Sequence, residues 1–211
     1  MSTGTARSGE AAGTTYGEYV VRSVRAGEWA AVKALRLAAL RDPVADIAFL
    51  DTYGAAVARP DDYWRERTAN AAEGTGGVRQ FVAQTADGVL VGTVAVVVEE
   101  AGTTDWAGVP VEHRQGHLVG VYVAPGHRGS GVSGALFETA LEWARGEGLD
   151  RVRLIVHPEN ARARGFYRKA GFTESGVTVP LEGRPGEHEL EMAVETSGGG
   201  EPAPTRAAGP S

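Results

Sequence analysis

The segment Val121-Tyr122-Val123-Ala124-Pro125-Gly126-His127-Arg128-Gly129-Ser130-Gly131-Val132-Ser133-Gly134 decides how the rest of the chain is read. A buried strand is expected to run into a loop with four glycines in nine residues, and a helix to begin at once. The first N–H groups of a helix have no intrahelical partner, and the macrodipole places partial positive charge there. Glycines let the backbone approach an anion closely, so the segment suits a phosphate. The glycines alone also fit an ordinary strand-to-helix turn. No Gly-Lys-Ser/Thr follows, so it is not a Walker loop.

The segment resembles motif A of the GNAT N-acetyltransferases, Arg/Gln-x-x-Gly-x-Gly/Ala, which here reads Arg128-Gly129-Ser130-Gly131-Val132-Ser133. The family's usual Val-Tyr-Val-x-Pro strand end precedes it. Position 133 is Ser where Gly or Ala is usual; Ser is still small, and its hydroxyl could add a phosphate contact. About thirty residues on, Asn160-Ala161-Arg162-Ala163-Arg164-Gly165-Phe166-Tyr167-Arg168-Lys169-Ala170-Gly171-Phe172 resembles the family's motif B at each fixed position. Asn160, Ala163, Phe166, Tyr167 and Ala170 recur at the spacing of one helical face. Asn160 reads equally well as an N-cap and as a cofactor contact. The resemblance is clear from about Leu118 to Phe172, and weaker upstream, where Leu35–Asp42 looks like the first helix of many bacterial members.

The resemblance implies an α/β protein of the GNAT (acyl-CoA N-acyltransferase) fold. That fold is a mixed, twisted sheet of about six to seven strands flanked by about four to five helices, with the fourth and fifth strands splayed. It implies acetyl-CoA as co-substrate. The pantetheine arm would pair with the free edge of the fourth strand, about His117–Val123 and including Val121, Tyr122 and Val123. Backbone amides of Arg128, Gly129, Ser130, Gly131, Val132 and Ser133 would bind the pyrophosphate, and Asn160, Ala163, Phe166 and Tyr167 would face the cofactor from the later helix.

The activity implied is transfer of the acetyl group to a primary amine of a small molecule or peptide, by direct attack on the thioester. An alkylammonium with a pKa near ~10 must first lose a proton. The oxyanion would take a backbone N–H near Tyr122–Val123, and Tyr167 would protonate the CoA thiolate. Many members carry Glu where this chain has His117, and imidazole titrates near neutrality, so His117 is a candidate base. Glu99, Glu112 and His113 are its rivals. His127 reads as a phosphate neighbour or surface residue, and His157 as structural. A catalytically weak acyl-CoA-binding or sensing module of the same fold is the alternative, supported by Ser133 and the missing Glu.

Working outward, Tyr19–Val24, Arg79–Thr85, Val89–Val98, Arg151–Val156, Val177–Leu181 and His188–Val194 read as further strands. Helices are expected at about Glu28–Leu40, Asp46–Ala58, Asp62–Ala72 (Asp61 capping), Gly131–Arg145 and Asn160–Ala170. Glu99–Gly116 reads as a long loop. Residues 1–15 and 196–211 are expected to be disordered tails around a single domain at 16–195. Phe49, Tyr53, Trp64 and Trp106 are candidate pocket aromatics. Glu99, Glu100, Asp105 and Glu112 give the long loop an acidic cast that would suit a cationic amine.

Composition bounds the rest. The 211 residues carry a net charge of −6, which argues against nucleic acid as a partner. There are no cysteines, so thiol chemistry must come from a bound substrate. Five histidines without ligand spacing predict no metal. The first residues do not read as a signal peptide, and no apolar run is long enough for a membrane, so a cytoplasmic location is expected. A homodimer would be in keeping with the family.

Overall fold

The computed structural model describes residues 13–72, 77–181 and 186–196. Its eight strands are β1 (Thr14–Tyr16), β2 (Tyr19–Ser23), β3 (Val78–Thr85), β4 (Leu90–Glu99), β5 (Gln115–Val123), β6 (Arg151–Val156), β7 (Thr173–Pro180) and β8 (His188–Glu195). Its six α-helices are α1 (Trp29–Ala39), α2 (Ala45–Ala48), α3 (Tyr53–Ala58), α4 (Asp61–Ala71), α5 (Val132–Gly146) and α6 (Ala161–Lys169). One sheet holds all the strands in the order β1-β2-β3-β4-β5-β6-β8-β7. Only β5 and β6 run parallel, because α5 carries the chain back between them; the other neighbours are antiparallel.

Side chains alternate between the two faces of the sheet, and each face is covered. Phe81, Ala83, Val94, Val96, Leu118, Val152 and Leu154 join Leu136, Phe137 and Ala140 of α5 in the larger core. Val24 and Val82 face the other way, with Val32 of α1 and Ala71 of α4. Phe137 anchors α6: its ring lies edge-on to Phe166 at 4.9 Å and stacks on Tyr167 at 5.6 Å. The aromatic positions of the later motif thus fasten their helix to α5.

The expected mixed sheet with helices on both faces is present, and several element bounds differ. Thr14 and Thr15, expected in the N-terminal tail, pair with β2 as part of β1. The remaining tail positions, 1–12 and 197–211, lie outside the described residues. The single helix expected at Asp46–Ala58 is two, because Phe49 turns extended and Thr52 starts a new helix by accepting the Ala55 N–H at 3.2 Å. Asp61 does not cap α4: Pro60 holds that position, and Asp61 pairs with Lys33 at 2.7 Å. β7 begins at Thr173 rather than Val177, and as an edge strand it tolerates Pro180. Among the described residues, no helix is long and apolar enough to cross a membrane.

Candidate active site

The site follows from a break in the sheet. β5 and β6 pair only through Gly116–Val152, His117–Arg153 and Leu118–Leu154. Beyond Leu118 the strands part, leaving the β6-facing edge of Val119–Val123 without a strand partner. A bulge sharpens the bend: Val119 faces Ala95 and Tyr122 faces Thr93, so residues 120 and 121 together oppose Val94. Gly120 takes up the distortion with φ +64°. The Ala124 N–H donates to Val91 on β4. By strand alternation the Val123 N–H and C=O then point to the open side, where Val123 O accepts from Arg128 Nε at 2.8 Å.

A cleft of about 410 Å³ occupies the gap. His117 to Val123 line one wall, Leu154 to His157 the other, and α6 contributes Ala163, Phe166 and Tyr167. Of the residues expected around the cofactor, Val121, Tyr122, Val123, Arg128, Ser133, Asn160, Ala163, Phe166 and Tyr167 line this cleft. Gly129, Ser130 and Gly131 are exposed at the start of α5, and Val132 is buried in the core. Within the described residues, the N–H groups of 129–134 make no backbone hydrogen bond. They form a cluster of free donors, with the chain turned by Gly131 at φ +89°. The Arg128 guanidinium points elsewhere, pairing with Asp42.

Gly129, Gly131 and Gly134 fall at the Gly-x-Gly-x-x-Gly spacing of a dinucleotide turn, and β5–α5–β6 is a parallel unit. The surrounding sheet separates the two cases. A dinucleotide fold continues its parallel strands side by side, whereas here the parallel pair ends after three residues and the rest of the sheet is antiparallel. The donors follow in the chain directly after the open strand edge.

His117 and Tyr167 both reach the cleft. Tyr167 is 8% exposed, and burial pushes its pKa up to about 12. His117 is 4% exposed, with Nδ1 3.0 Å from Glu99 Oε1. Burial would raise the Glu99 pKa, but hydrogen bonds and charge from His117 and Arg153 outweigh it and hold it at about 2. Of the rival bases, Glu112 and His113 are exposed and away from the cleft, and Glu99 sits behind His117. His127 bonds the Tyr19 hydroxyl at 3.1 Å.

The candidate pocket aromatics divide. Phe49 and Trp106 line the cleft, whereas Trp64 is fully buried with Leu40 and Ala56, and Tyr53 packs beside them. The acidic loop does not present its charge as expected. Glu99 and Asp105 are bound by Arg153, and Glu100 pairs with Arg114 at 3.1 Å. Of the cleft carboxylates that sequence reasoning missed, Asp42 and Asp51 are paired with Arg128 and Arg59, which leaves Glu189 on β8. It lines the cleft, and burial raises its pKa against the opposing charges of His157 and His117. His157, read from sequence as a turn residue, lines the cleft too, and its Nδ1 accepts the Glu159 N–H at 3.2 Å. Nothing in the local sequence marks Glu189, because its place beside β6 depends on the strand order.

Comparison with known proteins shows the family. Residues 42–172 match the model of the Acetyltransferase (GNAT) family. The chain is 30% identical to the streptothricin acetyltransferase of Streptomyces lavendulae, over 86% of this chain and 97% of that one. It is 37% identical to a mycothiol acetyltransferase of Beutenbergia cavernae, over 43% of this chain but only 27% of that longer protein. Among solved structures, the PaiA N-acetyltransferase of Thermoplasma acidophilum in complex with coenzyme A superposes with a TM-score of 0.62 at 16% identity, covering 84% of this chain and 98% of that one. The chain belongs to the GNAT family of acetyltransferases.

Proposed function

We propose that this protein transfers the acetyl group of acetyl-CoA to a primary amine of a small molecule, in the cytoplasm where acetyl-CoA is available. The observation that carries the reading is the parting of β5 from β6 after Leu118, beside the unpaired N–H groups of residues 129–134. An extended pantetheine arm fits an open strand edge, and a pyrophosphate fits donors at a helix start. The near end-to-end match to a streptothricin acetyltransferase supports a small-molecule acceptor. Glu189 is a cleft carboxylate with no arginine partner among the described residues, which suits a cationic amine.

In this reading His117 takes the proton of the acceptor ammonium, and the amine attacks the thioester carbonyl. The Val123 N–H, on the open side of β5, supplies a donor for the oxyanion. Tyr167 stays neutral at any working pH, since its pKa lies at about 12, so its hydroxyl is always available to the departing sulfur. Purified protein, acetyl-CoA and a panel of amines including streptothricin should release CoA, read with a thiol reagent. Tight acetyl-CoA binding without turnover on any amine would overturn the enzyme reading and favour a binding module.

A further inference from the structure

Six ionisable side chains meet behind the cleft, on the sheet face opposite α5. The register brings them together: His117 lies directly across from Arg153 and diagonal to Glu99. Arg153 donates to Glu99 Oε2 through Nε at 2.9 Å and to Oε1 through Nη2 at 2.7 Å. It also reaches Asp105 at 2.7 Å and Glu191 at 3.0 Å, while Arg151 holds Glu191 at 2.5 Å. Gln115 Nε2 donates to Glu99 Oε2 at 2.9 Å.

Two consequences follow. An ionised carboxylate only accepts, so the 3.0 Å contact with Glu99 requires the proton of a neutral His117 to sit on Nδ1. The lone pair is then on Nε2, which has no protein partner among the described residues, in a side chain that lines the cleft. Charge gives the second consequence. Three carboxylates (Glu99, Asp105, Glu191) face two guanidiniums (Arg151, Arg153), so the cluster carries one uncompensated negative charge while His117 is neutral. Protonation of His117 balances it. Glu189 also faces His117 from β8, and its charge acts in the same direction.

We propose that Glu99, gripped by Arg153, is a positioning residue that sets His117 with Nε2 toward the acceptor and balances the charge His117 gains in catalysis. The proposal rests on the acetyl-transfer reading above. In the step itself an ammonium N–H bond breaks and an Nε2–H bond forms; the proton later leaves to solvent.

The test is the pH dependence of kcat/KM for Glu99→Gln, His117→Gln and the double variant, with acetyl-CoA and the best acceptor of the panel. A neutral Gln can still accept from Nδ1 but no longer favours the imidazolium. The acid limb should therefore move to lower pH, and the plateau should fall ~10- to 100-fold. The double variant should lose no more than His117→Gln alone. An unmoved acid limb, or losses that multiply independently, would overturn the proposal. Should Glu99→Gln fail to bind acetyl-CoA or to fold, ¹⁵N NMR of the unaltered protein decides. A neutral His117 protonated on Nδ1 supports the proposal, and one protonated on Nε2 refutes it. That measurement needs no acceptor, so it stands even if the acetyl-transfer reading fails.

Discussion

Gly120→Ala isolates what the bulge in β5 contributes. Gly120 has φ +64°, and a Cβ built on it meets nothing within 4 Å. Its substitution therefore costs backbone strain alone, about 1–2 kcal/mol for an alanine in the left-handed region. For a domain of this size each kcal/mol lowers Tm by about 2–4 °C, so a fall of about 2–8 °C is expected by circular dichroism. Gly88→Ala is the matched control. It stands in the β3–β4 turn at φ +90°, with its nearest neighbour, Gln84 Nε2, at an ordinary 3.7 Å. It should cost the same stability, far from the cleft. The difference lies in how the strain relaxes. At Gly120 the chain can relieve it by flattening the bulge, which moves the Val121–Val123 edge. Calorimetry should then show acetyl-CoA binding weakened about 5- to 30-fold, the equivalent of 1–2 kcal/mol, with no change in Gly88→Ala. A Gly120→Ala protein with unaltered Tm, or one whose affinity tracks the control, would refute the role given to the bulge.

Three further outcomes are expected. Tyr167→Phe should lower kcat about tenfold or more with little change in acetyl-CoA affinity, and the unaltered enzyme should show no basic limb from Tyr167 below about pH 12; an unchanged kcat would remove Tyr167 from the mechanism. Glu99 has its folded pKa lowered from 4.5 to about 2, so its contribution is fully present above pH 4.5 and lost as pH falls toward 2. At about 1.4 kcal/mol per unit this amounts to roughly 3 kcal/mol, and urea titrations between pH 7 and 3 should show a shallower loss in Glu99→Gln. Asn160 Oδ1 accepts the Ala163 N–H at 3.1 Å; Asn160→Ala should cost about 1 kcal/mol of stability, Asn160→Asp should retain most of it, and equal melting of all three proteins would deny the cap.

The parts of the site that lie on contiguous chain are legible in the sequence. Arg128–Ser133 and Asn160–Phe172 each form one local unit, a strand-to-helix turn and a capped helix, so their residues meet whatever the rest of the chain does. Val121–Val123, Ser133, Asn160, Ala163, Phe166 and Tyr167 accordingly line one cleft. The Glu99–Gly116 loop is harder to read. As sequence it is an acidic solvated stretch, yet Glu99 and Asp105 are buried against an arginine from β6. The single helix expected at Asp46–Ala58 fails for a smaller reason, since Thr52 can sit within a helix or cap one, and periodicity over so short a run does not choose between them.

Motif, helical face and glycine turn were thus determined by the sequence, because each depends on interactions within about a dozen residues. Tertiary structure alone decided three things. It separated the glycine spacing from a dinucleotide turn by ending the β5–β6 pairing after Leu118. It put Glu189 and His157 in the lining of the cleft. It set Glu99, Arg153 and His117 in hydrogen-bonding reach across β4, β5 and β6. The physical reason is strand register: which side chains from distant strands come face to face is settled by the order and offset of pairing across the whole sheet.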